Sequence, residues 1–166
     1  METGVKEMDK EVRKKILRKI PYGLYILGLR NGDQCHAMVG SWLSQCSFEP
    51  PLLMLGIRKA SYSHTMLEHG AALSINFPAK DQKKLVERFF KPHEAKDGKF
   101  GGDVSFHLGK NGAPILDDAI AHLECKVSQI VPGGDHDIVI AEIVESEIKT
   151  DSDNLVMKDT GWHYGG

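Results

Sequence analysis

The chain lacks the features that announce the commonest nucleotide and metal sites. Neither GxGxxG nor GxxxxGK[ST] occurs in it, so a doubly wound dinucleotide fold and a P-loop are both unindicated. Its three cysteines, Cys35, Cys46 and Cys125, match neither a CxxC knuckle nor a disulfide framework, and they read as reduced thiols of a cytoplasmic protein. His64 and His69 lie five positions apart, which gives no two-ligand face on a helix, and no metal is expected. Long apolar runs are missing too: no stretch of about 18 apolar residues exists, and METGVKEMDKEVRKK at the start is charged throughout, with no apolar h-region. The expectation is a protein that is neither secreted nor membrane-bound. Positive charge is not in excess either. With 21 Lys and Arg against 23 Asp and Glu, the net charge of −2 argues against nucleic acid as a partner, and any bound anion must be small and held locally.

What is present is an ordinary globular composition, 41% hydrophobic and 27% charged over 166 residues. That length suits one domain spanning 1–166, which on folding buries roughly 70% of the surface of the unfolded chain. In EMDKEVRKKILRKI (7–20), Met8, Val12, Ile16 and Ile20 recur four apart between charges. The pattern predicts an amphipathic helix that docks one stripe on the outside of the body and ends at Pro21. YGLYILGL (22–29) and QCHAMVGSW (34–42) flank NGDQ, the strongest short-range signal for a β-hairpin. LLMLGI (52–57) and ALSINF (72–77) are further strands, separated by RKASYSHTMLEHG with a short helix before Gly70. AKDQKKLVERFF (79–90) is expected as a helix capped by Asp81 and stopped by Pro92, and residues 91–114 as a long irregular excursion. AHLECKVSQIV (121–131) and DIVIAEIVESEI (137–148) form a second hairpin around PGGDH. Strands dominate, as antiparallel neighbours with few helices. The fold class is mainly β, a small closed antiparallel barrel with peripheral helices.

Three stretches carry chemistry. SWLSQCSFEPP (41–51) offers Ser41, Ser44, Ser47 and their amides in one extended segment, either as a solvated edge strand or as a surface for the polar edge of a planar ring. RKASYSHTM supplies Arg58, Lys59, Ser61 and His64 where a helical turn opens. That is the donor set a phosphate wants, although a solvated loop has the same composition. PGGDHDI (132–138) is a hairpin turn in which Asp135 or Asp137 caps the backbone, and His136 at its tip is able to hydrogen-bond a ligand.

In order along residues 20–145, YGLYILGL, GSWLSQCSFEPPLLMLGIRKASYSHTMLEHG, ALSINF, GAPILDDAIAHLECKV and GGDHDIVIAEIV resemble the flavin reductase-like family of the FMN-binding split barrel. The resemblance implies a closed antiparallel Greek-key split β-barrel, a homodimer, FMN or FAD as cofactor, and NADH or NADPH as electron donor. It places Ser41, Trp42, Leu43, Ser44, Cys46 and Ser47 along the isoalloxazine ring, with the double proline turning the chain into the next strand. It gives Arg58, Lys59, Ser61 and His64 the flavin phosphate, and sets His136 near flavin and nicotinamide as the polar participant in catalysis. Trp162 and Tyr164 would line the same pocket. The bulky Trp42 departs from the small residues of many relatives, and 91–112 matches only in its Phe-Gly content. The electron acceptor implied is a protein such as a monooxygenase component. A flavoredoxin-like electron carrier and a non-catalytic flavin-binding module are the competing functions.

Overall fold

In the computed structural model, which describes residues 8–165, the Asn-Gly turn behaves as its chemistry dictates. Strand β1 (Tyr25–Asn31) folds back on β2 (Gln34–Gly40), Asn31 faces Gln34, and Gly32 takes a positive φ of 58°. The remaining strands are β3 (Leu43–Ser47), β4 (Leu52–Arg58), β5 (Ala72–Phe77), β6 (His93–Lys96), β7 (Lys99–Phe100), β8 (Val104–Leu108), β9 (Pro114–Leu116), β10 (Ala121–Val131) and β11 (His136–Ile148). They form one sheet in the order β3-β4-β11-β10-β5-β1-β2-β6-β7-β8-β9, with every neighbouring pair antiparallel. Helices α1 (Lys10–Leu17), α2 (Tyr62–Thr65) and α3 (Lys83–Glu87) are short and peripheral, and among the described residues none is long and apolar enough to cross a membrane.

Strand β1 is buried on both faces. Tyr25, Leu27 and Leu29 join Leu55 of β4, Ile75 of β5 and Val139 of β11 in one core. Leu24 and Ile26 join Phe89, Phe100 and Leu116 in a second. Because β1 and β4 are separated by three strands in the sheet yet share the first core, the sheet is rolled into a barrel around it. A buried polar network closes the seam. Asn76 Nδ2 donates to the Ile26 carbonyl (3.1 Å), its Oδ1 accepts from the Leu116 amide (2.8 Å), and the Ser74 hydroxyl donates to the Pro114 carbonyl. These bonds tie β9 to β5 and β1.

Three sequence expectations are corrected. Helix α1 forms, N-capped by Asp9 through bonds from the Glu11 and Val12 amides, but it has no buried residue: Met8, Val12, Ile16 and Ile20 are about half exposed instead of docked. Periodicity establishes that a helix has an apolar side, not that a surface lies beneath it. The expected start of this helix at Glu7 lies outside the described residues. Helix α3 has Gln82, not Asp81, at its N-cap position and no side-chain capping bond; Gln82 Oε1 instead accepts from the Ala79 amide (2.8 Å). Residues 91–114 are no irregular excursion. Asp97 and Gly98, and then Gly101 and Gly102, take positive φ and turn the chain through β6, β7 and β8, burying Phe100 and Val104 against Phe89. The second hairpin forms as expected, with β11 starting one residue earlier, at His136.

Gly28 marks the tightest point of this packing. A Cβ there would stand 2.4 Å from both the Pro114 carbonyl oxygen and the Ser74 hydroxyl. Gly28→Ala is therefore expected to lower the unfolding free energy by about 1–3 kcal/mol, read from the urea midpoint; an unchanged midpoint would mean that β9 moves aside at no cost.

Candidate functional site

A cavity of 570 Å³ opens where β1 and β2 begin and end, between the start of β3, the end of β4 and the C-terminal segment. Ser41, Trp42, Arg58, Ser61, Trp162 and Tyr164 of the predicted site line it. Its depth comes from missing side chains. Tyr25 lies across Gly40, where a Cβ would come within 2.3 Å of the phenol ring and 2.5 Å of the hydroxyl. Trp42 lies over Gly56, where a Cβ would meet the indole at 2.8 Å. Glycine at both positions lets a large aromatic lie flat on the sheet.

Two donors in this wall have no partner among the described residues: the Tyr25 hydroxyl and Trp42 Nε1, both buried. Burial, and the nearby Tyr164 phenol after it, push the Tyr25 hydroxyl pKa far above the ordinary tyrosine value, so the group stays a donor at any working pH. Arg58 adds a guanidinium that makes no ion pair among the described residues. The wall thus combines apolar and aromatic surface with donors and a cation, and it suits a flat ligand edged with carbonyl acceptors and carrying negative charge.

His136 stands behind this wall. Its ring packs on Trp42 at 4.5 Å between centroids, Nε2 lies 2.8 Å from the Tyr164 hydroxyl, and Nδ1 lies 2.8 Å from Asp135. It sets the positions of Trp42 and Tyr164 and does not itself line the cavity. Lys59 and His64 are turned elsewhere. Lys59 Nζ donates to the Gly133 carbonyl (3.0 Å) and sits 3.3 Å from Asp137, while His64 Nε2 is 2.7 Å from the other carboxylate oxygen. The Gly133 amide also donates to Asp137 (3.1 Å), which makes Asp137 the cap of the turn. The His64 contact first, and then the Gly133 amide, draw the Asp137 carboxyl down to about 2. Ser61 caps α2, donating to the Arg58 carbonyl and accepting from the His64 amide. Leu43, Ser44, Cys46 and Ser47 run along β3 outside the cavity wall, with Ser44 and Cys46 exposed.

Of the expected phosphate group, then, Arg58 is free, Ser61 is at the cavity, and Lys59 and His64 are bound to Asp137. Sequence reasoning missed Tyr25, Gly40 and Gly56. Inside YGLYILGL, a tyrosine is indistinguishable from a core aromatic, and nothing local marks the facing glycine.

The model of the flavin reductase like domain matches residues 17–166. The chain is 32% identical over 145 residues to diflavin flavoprotein A 1 of Synechocystis sp., covering 87% of this chain and 25% of that protein. It is 30% identical over 137 residues to the high molecular weight rubredoxin of Moorella thermoacetica, covering 81% of this chain and 59% of that protein. It therefore spans about a quarter of the diflavin flavoproteins it matches. Among solved structures, the NADH:FAD oxidoreductase of Streptomyces globisporus superposes with a TM-score of 0.78 at 22% identity, over 94% of this chain and 92% of that one. The FMN-binding protein of Thermus thermophilus superposes with a TM-score of 0.69 at 26% identity, over 78% and 71%. These likenesses establish the split-barrel fold.

The Asp137 cluster has a pH signature. Its folded pKa of about 2 lies below the ordinary value of about 3.9, so its contribution to stability is complete above that value and is lost as pH falls toward 2. Asp137→Asn should lower stability at neutral pH and flatten the acid limb of the stability curve, measured as urea midpoints between neutral pH and pH 2. A variant whose acid limb matches the wild type would place the acid sensitivity elsewhere.

Proposed function

The chain belongs to the flavin reductase-like domain family, and from that premise we propose that it binds FMN in the 570 Å³ cavity and passes hydride to it from NADH or NADPH. The observation that carries this reading is the pair of enclosed, unpartnered donors on Tyr25 and Trp42, two aromatic residues that line the cavity together with Arg58, Ser41 and Ser61. A buried donor without a partner costs free energy, about 1–3 kcal/mol. A ring system edged with carbonyl and nitrogen acceptors removes that cost on binding, and the donor set fits flavin for that reason.

When bound, the flavin supplies the hydride-accepting chemistry, and the protein's work is positioning and electrostatics. The Tyr25 hydroxyl and Trp42 Nε1, enclosed in this structure, would donate to the flavin once it is seated, and Ser41 would add its hydroxyl at the same wall. Arg58 holds the phosphate through its charge, with Ser61 beside it. Trp162 and Tyr164 close the side toward the C-terminal segment and keep water from the reacting edge. Trp162 is itself fixed by Phe90 at 4.6 Å and by Lys83 Nζ at 4.9 Å above its ring. His136 acts as a positioning residue for Trp42 and Tyr164. Met54 and Ile138, about 40% exposed on one face of β4 and β11, support a homodimer formed over that face. A second reading, an FMN electron carrier reduced by a protein partner, is favoured by the likeness to the high molecular weight rubredoxin.

The deciding experiment is an anaerobic titration of the FMN-loaded protein with NADH and NADPH, followed at the flavin absorbance. Rapid bleaching by either supports the reductase; a yellow protein bleached by neither supports the carrier; failure to take up FMN removes both. Tyr25→Phe tests the site itself. It should leave the apo melting temperature unchanged or raised while weakening FMN about two- to tenfold. A lower apo melting temperature with unchanged FMN affinity would make the hydroxyl a structural group instead.

A further inference from the structure

Helix α2 is a single turn of four residues that follows directly on the corner from which Arg58, Ala60 and Ser61 line the 570 Å³ cavity. A turn so short does not hold itself, because nucleating a helix costs more than its first bonds return. Contacts from elsewhere must fix it, and two anchors do so. One is Asp137, which binds His64 of the turn and Lys59 just before it. The other is His36 of β2, which packs against two consecutive residues of the turn. Its Nε2 lies 3.0 Å from the Ser63 hydroxyl, and its imidazole meets the Tyr62 ring edge-on at 4.9 Å between centroids. Both His36 and Ser63 are buried. The second ring nitrogen of His36, Nδ1, is enclosed and has no partner among the described residues.

We propose that His36 is a positioning residue for the flavin phosphate: as a neutral imidazole it ties α2 to β2 and so holds Arg58 and Ser61 at the cavity, and on taking up a proton it releases the turn and weakens FMN. The proposal rests on the assignment of the phosphate to Arg58 and Ser61. The coupling between them is short. The Ser61 hydroxyl accepts from the His64 amide and donates to the Arg58 carbonyl, so the group that caps α2 also fixes the residue carrying the guanidinium. An imidazolium has two N–H donors, and here only the Nε2 side has an acceptor. The charged ring therefore leaves Nδ1–H orphaned in an enclosed place, which favours opening the turn to water. The surroundings do not compensate for this. Burial is the main influence and lowers the His36 pKa from the ordinary 6.5, Glu94 on β6 pulls it back up, and His93 beside Glu94 adds to the lowering. From α2 the ring meets a phenol and a hydroxyl, on β1 it faces Leu29, and β9 carries no charged residue. In the opened turn the ring is in water and the ordinary value applies. The closed turn is thus fully favoured above pH 6.5 and is lost progressively as pH falls below that value.

The test compares the binding of FMN with that of riboflavin, which has the same ring and no phosphate, by quenching of flavin fluorescence from pH ~7.5 to ~5.5, either side of the ordinary histidine value. In the wild type, FMN affinity should fall on acidification while riboflavin affinity stays flat. Part of the FMN loss belongs to the phosphate itself, whose second charge is lost near pH ~6. His36→Gln keeps an N–H donor toward Ser63 and does not titrate, so it should match the wild type at neutral pH and retain only the phosphate's part of the pH profile. Ser63→Ala removes the tie from the other side and should weaken FMN about tenfold at neutral pH with riboflavin unchanged. A His36→Gln profile identical to that of the wild type, or unaltered FMN affinity in Ser63→Ala, would overturn the inference. So would an equal loss of FMN and riboflavin, the mark of a residue that only supports the fold. A wild type that binds neither flavin would remove the flavin reading and this role with it, whereas a wild type that binds both, with variants that behave like it, would remove the role of His36 alone.

Discussion

The constraint on which the structure depends is the burial of β1 on both faces. A strand with one solvated face needs only a single core, whereas Tyr25, Leu27 and Leu29 fill the barrel while Leu24 and Ile26 fill the layer outside it. That double demand requires β5 and β2 as lateral partners and β9 as a cover. It also leaves no room for a side chain at Gly28. The network of Ser74 and Asn76 is the polar counterpart of this packing, satisfying carbonyls and an amide that burial would otherwise orphan. With β1 immobilised, its first residue becomes a fixed point: Tyr25 lines the cavity at the mouth of the barrel, across Gly40, with its hydroxyl enclosed.

From that point the site is assembled by gaps. Gly40 admits the Tyr25 ring and Gly56 admits the Trp42 indole. Trp42 then provides the surface on which His136 and Tyr164 settle. Cations are partitioned with similar economy. Asp137 holds Lys59 and His64 in the β10–β11 turn, so that Arg58 is the cation left facing the cavity. Arg18, Lys19 and Lys158 are gathered on the far side of the C-terminal segment.

Much of this was legible in the sequence because much of it is local. The Asn-Gly dipeptide set the first hairpin and PGGDH the second; the alternation of Leu123, Cys125 and Val127 against polar neighbours marked Cys125 and Val127 as buried, but His122 and Glu124 on the other face are buried as well. The ordered resemblance located Ser41, Trp42, Arg58, Ser61, Trp162 and Tyr164, all of which converge on one cavity. What escaped was relational. The stripe on α1 is real in sequence and undocked in space, since periodicity carries no information about the opposing surface. The meander from β6 to β8 was hidden because its strands are as short as two residues and its turns rest on glycines in a polar segment.

By itself, the sequence determined the mainly β class, the two hairpins and the helix-forming segments, because each follows from chemistry within a few residues. Only the tertiary structure decided which side chains line the cavity. Lys59 and Arg58 are neighbours with the same charge, yet one is neutralised by an aspartate 78 positions on and the other is not. Tyr25 looks like any core aromatic until Gly40 is seen beneath it. Availability of a charge or a donor is a property of what surrounds it, and those surroundings come from residues distant in the chain.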